Sequence, residues 1–369
     1  MIYLDWGATS FPKPAPVRRA VMEAMVRCAN PGRGGHAPAM AAAEAVYTAR
    51  ERAGKVFDCA PEQVVFTSNC THGLNMAIRS LFRPGDRVLI SGFEHNAVTR
   101  PLYNLGAKVQ VAGRKLFDWV DTLEDFDRSL RSGCRGAVFT HVSNVFGYIL
   151  PVEEMAKLCR DRGVPFVIDA AQSAGSIPIS LKKLGADFIA MPGHKGLLGP
   201  QGTGILLCGN GLEPLMMGGT GGDSRNPKMP EQLPERGEAG TVNVPGIAGL
   251  GEGLRLLQQL DIRKIGEREQ RLIRFGTLEL EKLGYRVFSG PHQLSTLSFL
   301  PEGDCEEVAE RFGKRGFALR AGLHCAPLAH ESAGTLETGT IRLSLGHSTK
   351  KEELEGFVRT AAKDRGRLH

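Results

Sequence analysis

VIDAAQSAG, residues 167–175, followed by MPGHKGLLGPQGTG, residues 191–204, is the stretch whose reading decides the fold. Each piece begins on a short apolar run of strand type, Phe166–Asp169 and Phe188–Met191, and each run ends on a residue with chemistry to offer. Asp169 closes the first run, where an unpaired carboxylate would be costly to bury and needs a cationic partner. Lys195 follows the second run and is surrounded by Gly193, Gly196, Gly199, Gly202 and Gly204. Two readings of that lysine stand on local grounds. It is a solvated residue of a surface turn, or it is held at a strand end where glycines let the backbone approach a ligand closely.

Outward from this stretch the same alternation repeats. Val64–Thr67, Arg87–Ser91, Ala137–Val142 and Gly204–Leu207 are further candidate strands, and amphipathic segments such as Val152, Met155, Ala156 and Cys159 lie between them. Strand then helix, repeated, predicts an α/β fold with a mostly parallel sheet covered on both faces, and ligands gather at the carboxyl ends of such strands. The pattern breaks over 210–245, a glycine-, proline- and charge-rich segment whose length suits a functional loop or one lying across an interface. A long helical stretch over 246–283 follows, then short strands (Thr296–Phe299, Ile341–Ser344) and helices (Cys305–Arg315, Lys351–Ala361) of a smaller α+β unit. The expected division is a large domain over 15–245 and a small domain made of 1–14 plus 246–369.

Two other strand ends carry candidates. In FTSNCTHGLNMAI (66–78) a helix starts near Thr71, either as an ordinary N-cap or as a cradle of free N–H groups for a phosphate. In SGFEHNAVTRP (91–101), His95 is either structural or placed to stack on a ring and move protons. At Asp169 the missing cation could be the protonated ring nitrogen of pyridoxal phosphate, which an acidic partner keeps an effective electron sink.

Composition sets the outer bounds. The chain has 369 residues, 42% hydrophobic and 23% charged, as expected of a globular protein large enough to stabilise itself without disulfides. Its 46 basic and 40 acidic residues leave a net charge of +6 with no long run of one sign, so neither nucleic acid nor a membrane surface is the expected partner. No apolar stretch of about eighteen residues is present. MIYLDWGATSF does not read as a signal peptide. The eight cysteines form no CxxC pair, so no metal site is expected, and the reducing cytoplasm is the expected compartment.

YLDWGATSFPKP, FTSNCTHGLN, FEHNAVTRPL, HVSNVFG, VIDAAQSAG, GHKGLLGPQGTG, GEAGTVNVPGIAGL and RAGLHCAP occur in this order along nearly the whole chain. Together they resemble the class V aminotransferase-type enzymes, in particular the cysteine desulfurase and selenocysteine lyase branch. The resemblance implies a pyridoxal-phosphate-dependent transferase of the aspartate aminotransferase-like fold type I. It implies that Lys195 anchors the cofactor and moves the substrate Cα proton, that Asp169 pairs with the pyridine nitrogen, that Gln172 bonds the ring hydroxyl oxygen and that His95 stacks on the ring. Cys70, Thr71 and His194 would bind the phosphate, joined by Thr241 from a neighbouring subunit of a homodimer. Asn144 and Arg342 would hold the amino-acid substrate, cysteine or selenocysteine. Cys325 would be the sulfur-accepting nucleophile, with a sulfur-acceptor protein as a further partner, although a cysteine can also be a small buried hydrophobe. Arg320 and His324 are charged neighbours that would favour its thiolate.

The chain departs from the branch at Trp6, Cys70, His72, Pro192 and Leu323. The implied activity is therefore cysteine desulfuration. Selenocysteine lysis, a class V aminotransferase or β-lyase reaction on another amino acid, and a cofactor-bound scaffold without catalysis are the alternatives.

Overall fold

The computed structural model describes residues 1–32, 34–222 and 225–366. The chain opens with a two-residue strand β1 (Ile2–Tyr3) and two helices, α1 (Ala15–Arg27) and α2 (Ala37–Phe57). Strands and helices then alternate: β2 (Val64–Thr67), α3 (Cys70–Leu81), β3 (Arg87–Ser91), α4 (Asn96–Leu105), β4 (Lys108–Ala112), α5 (Trp119–Arg131), β5 (Gly136–Thr140) and α6 (Val152–Arg162). Next come β6 (Phe166–Asp169), α7 (Leu181–Leu184), β7 (Phe188–Pro192) and β8 (Gly204–Cys208). After a long irregular segment follow α8 (Val244–Leu260), α9 (Ile262–Lys282), β9 (Arg286–Phe288), β10 (Thr296–Leu300) and α10 (Cys305–Lys314). The chain ends with β11 (Phe317–Ala318), β12 (Arg320–Gly322), α11 (Pro327–Ala333), β13 (Thr340–Ser344) and α12 (Lys351–Asp364).

The seven-stranded sheet has the order β2-β8-β7-β6-β5-β3-β4. β8 is antiparallel to both β7 and β2, so β2 and β7 run the same way, and every strand but β8 points its carboxyl end to one edge. That edge receives the segments after β2, β3, β5, β6 and β7, where a parallel sheet gathers its ligands. β5, β6 and β7 bury every residue, which is why they are continuous apolar runs rather than alternating ones. Large apolar clusters fill both faces, one with α3 and α4, the other with α2, α6 and α8. A four-stranded antiparallel sheet, β12-β13-β10-β9, has its own core under α9, α10 and α12.

Two elements differ from the sequence reading. β4 is an edge strand with its first residues exposed, so it carries no continuous apolar run to announce it. The helix expected over 246–283 is two helices. At Asp261 the backbone turns to φ 63°, and its carboxylate accepts a hydrogen bond from Arg263 N, ending α8 and capping α9. Among the described residues no helix is long and apolar enough to cross a membrane.

Candidate active site

A cavity of about 500 Å³ opens at the carboxyl edge of the large sheet, within the size range of small-molecule sites. Thirteen of the residues singled out in the sequence line it: Lys195, Asp169, Gln172, His95, Cys70, Thr71, His194, Asn144, Arg342 and Cys325, together with Pro192, Arg320 and His324. Thr241 does not. It is exposed on a different cavity beside Tyr47 and Arg50, so the chain does not bring its own Thr241 to Lys195.

One wall of the cavity is built by strand ends. Asp169 is buried at the end of β6, and its Oδ1 accepts from Ala171 N (2.9 Å) and from the Cys70 thiol (3.4 Å). Burial and the Asp169 charge raise the Cys70 thiol well above its usual range, so it is a neutral donor. The side chain of Cys70 thus serves Asp169, while its backbone N–H stands at the start of α3. Asn69 caps α3 by accepting from His72 N (2.8 Å). A Cβ on Gly204 would come within 2.6 Å of Thr67 Oγ1 and 2.7 Å of the Asn69 carbonyl carbon, so only glycine lets this turn approach β8.

Lys195 follows β7, and among the described residues its amine makes no hydrogen bond or ion pair. Burial lowers its pKa, nearby Arg342 lowers it further, and Asp169 opposes both. His95 accepts from Ala97 N through Nδ1 (2.9 Å), which places the proton of the neutral ring on Nε2. Burial lowers the His95 pKa, against the pull of Asp169. His194 lies 3.1 Å from Thr9 Oγ1 through Nδ1, and its carbonyl accepts from Lys13 Nζ (2.7 Å). Gln172 donates to Gly7 O (3.1 Å). An unpaired amine, a buried carboxylate and a helix start with an anion-binding N-terminus form a donor set that fits a phosphorylated pyridine aldehyde.

The opposite wall is built by residues far apart in sequence. Arg342 on β13 donates from Nη2 to Asp5 Oδ1 (2.9 Å) and from Nη1 to Asn144 O (3.1 Å), and its buried Nε has no partner among the described residues. Asp5 Oδ2 accepts from Arg320 Nη2 (2.8 Å). Asp5 was not singled out in the sequence, although it lies in the YLDWGATSF motif; an acidic residue in an otherwise apolar opening was the available signal. Asn144 donates from Nδ2 to His324 O (2.7 Å). Cys325 is exposed between β12 and α11, and its carbonyl accepts from Asn96 N (2.7 Å).

One expectation is corrected here. His324 cannot supply a positive charge to Cys325, because burial and Arg342 push its pKa down to about 2. Trp6 does not line the large cavity. It packs edge-on against His347 (centroids 5.4 Å apart) and Tyr3 (6.2 Å), in a space that exists because residue 346 is glycine.

The family described as Aminotransferase class-V matches residues 2–357. A probable cysteine desulfurase of Methanothermobacter thermautotrophicus is 33% identical over 96% of this chain and 92% of its own length. The apo structure of a cysteine desulfurase from Thermococcus onnurineus NA1 superposes with a TM-score of 0.92 at 32% identity, covering all of this chain and 95% of that one. The cysteine desulfurase CsdA from Escherichia coli gives a TM-score of 0.84 at 26% identity, over 99% of this chain and 94% of that one.

Proposed function

Because the chain belongs to the class V aminotransferase family, we propose that it is a pyridoxal-phosphate-dependent cysteine desulfurase that converts L-cysteine to L-alanine and leaves a persulfide on Cys325. The observation that carries this reading is an exposed cysteine at a cavity that also holds an unpaired lysine amine, a buried carboxylate and a buried arginine. Relatives and structural neighbours named cysteine desulfurase support it.

When bound, pyridoxal phosphate supplies an electron sink conjugated to the substrate's Cα. Lys195 would anchor it, Asp169 would pair with its pyridine nitrogen, Gln172 would bond its ring hydroxyl and His95 would stack on its ring. Thr71, His194 and the Cys70 N–H would take its phosphate, and Thr241 of a second copy of this chain would complete that end, so the working unit would be a homodimer. The same reading divides the chain into a cofactor unit (15–245) and a substrate-side unit (1–14 with 246–369), with α8 joining them by packing on α1 and α2. The free cysteines suit a reducing cytoplasm, where a sulfur-acceptor protein would take the persulfide.

The protein's own residues divide the work. Arg342 holds the substrate carboxylate through the guanidinium edge that Asp5 and Asn144 leave free. Asn144 bounds the substrate on the other side. Lys195, whose pKa burial lowers, takes the Cα proton and returns protons to the carbon skeleton. The Cys325 thiolate attacks the substrate sulfur. A sulfur–sulfur bond forms, the Cβ–sulfur bond breaks, and its electron pair stays on the carbon skeleton, which takes up a proton and leaves as alanine.

Replacing Cys325 by Ala is expected to lower alanine release from L-cysteine by about 10³-fold in folded, cofactor-loaded protein. Undiminished release would overturn the nucleophile assignment. Loss with L-cysteine but not with L-selenocysteine would favour the selenocysteine lyase reading, since selenium leaves without help from the thiol.

A further inference from the structure

His324 and Cys325 are consecutive non-glycine residues in the left-handed region, at φ 50° and φ 57°. Each costs energy for an L-residue, and two in a row persist only where the surroundings hold them. Those surroundings come from three separate elements. Asn144, after β5, donates to His324 O at 2.7 Å, and Asn96 N, at the start of α4, donates to Cys325 O at 2.7 Å. The His324 ring reaches the third element, with Nε2 lying 3.1 Å from Thr340 O on β13. A carbonyl only accepts, so Nε2 carries the proton and Nδ1 holds the lone pair.

That lone pair has nowhere to go. His324 Nδ1 is buried without a partner among the described residues, and so is Nε2 of His330, whose ring centroid lies 5.9 Å away. Arg342 and Arg320 also face the ring, and both oppose a positive charge there. A second proton on His324 would thus be a buried N–H with no acceptor, set among cations. The ring stays neutral, which burial enforces by pushing its pKa to about 2.

We propose that His324 is the positioning residue of Cys325: a neutral donor that ties a strained two-residue turn to β13 and takes no proton in the reaction. The inference rests on Cys325 being the nucleophile. Asn144 and Asn96 fix the carbonyls from the large-sheet side, His324 fixes the turn from the small-sheet side, and only the Cys325 thiol is left free to reach a substrate. Such placement is worth a great deal, since a displacement of about 1 Å can cost about 10²-fold in rate.

The test uses the cofactor-loaded enzyme with His324→Ala, His324→Gly or His324→Gln. Iodoacetamide alkylation of Cys325 is followed by peptide mass across about pH 6 to 10, with persulfide formation from L-cysteine measured in parallel. The expected result is an unmoved alkylation midpoint in all three variants. Persulfide formation in His324→Ala and His324→Gly falls by about tenfold or more, and His324→Gln, which restores a donor in place of Nε2, recovers most of it. A midpoint displaced by about one unit would show His324 acting on the charge of Cys325 and overturn the proposal. So would wild-type persulfide formation in His324→Ala. A Cys325→Ser control that still releases alanine at the full rate overturns the desulfurase reading. An inactive control beside a fully active His324→Ala overturns the clamp alone.

Discussion

The cavity wall that carries Asp169 and Lys195 and the wall that carries Cys325 and Arg342 are put together in different ways. The first is made of strand ends only 26 residues apart in sequence, delivered to one edge by a buried parallel sheet. Its side chains have few polar partners: the amine of Lys195 has none among the described residues, and the contacts of Asp169 are Ala171 N and a neutral thiol. The second wall is a network. Arg342 meets Asp5 across 337 residues, Arg320 shares the same carboxylate, and Asn144 and His324 carry the network to Cys325. A sheet can hold isolated groups rigidly because backbone ladders fix them. Loops from distant parts of the chain need side chains to hold one another.

The contrast is broken most severely at Lys195. Lys195→Ala is expected to lower alanine formation by about 10³-fold or more while the fold is kept, because the amine supports nothing else. Activity assays beside urea unfolding separate the two effects. An equal loss of stability would show that the first wall is also a network.

Asp5→Asn is the corresponding cut in the second wall, and here fold and function should fail together. It leaves the buried guanidinium of Arg342 without its counter-charge, which costs about 3–5 kcal/mol when one partner of a buried pair is removed. Arg320 is half in solvent and adds little to that figure. KM for L-cysteine should rise as Arg342 loses its orientation. Unchanged stability with unchanged KM would remove Asp5 from the account.

The smallest effect is one of pH. Glu94 precedes His95 and is buried. Its Oε1 accepts from Ser91 and Thr140, its Oε2 has no partner among the described residues, and burial raises its pKa from 4.5 to about 8. A carboxyl with a raised folded pKa contributes stability that is complete below about pH 4.5 and is lost as pH rises through about 8. Glu94→Gln should therefore flatten the fall in stability across that window and leave the protein relatively more stable at alkaline pH. Thermal unfolding at several pH values reads it, and an unchanged slope would contradict the assignment.

The same contrast explains what the sequence could show. Asp169 stood out because an apolar strand ending on a carboxylate is a costly local pattern, whereas Lys195 kept two local readings and took its role from the resemblance. The candidate roles of His95, Arg342 and Cys325 came from resemblance, since a lone histidine, arginine or cysteine has many uses. Asp5 was passed over because its partners lie at the other end of the chain, and spacing carries no trace of them. The left-handed turn at His324 and Cys325 was invisible because such turns are usually flagged by glycine, and here hydrogen bonds from three elements do glycine's work. The thiol of Cys70 looked like part of a phosphate loop, and only the packing of α3 against β6 turns it to Asp169.

The most direct test of the account is the mass of the Cys325 peptide after cofactor-loaded protein has reacted with L-cysteine in the absence of any sulfur acceptor or reductant. The account predicts a gain of one sulfur atom on Cys325, matched by one alanine released per site, and no such gain on Cys70. Alanine release with an unmodified Cys325 would contradict it.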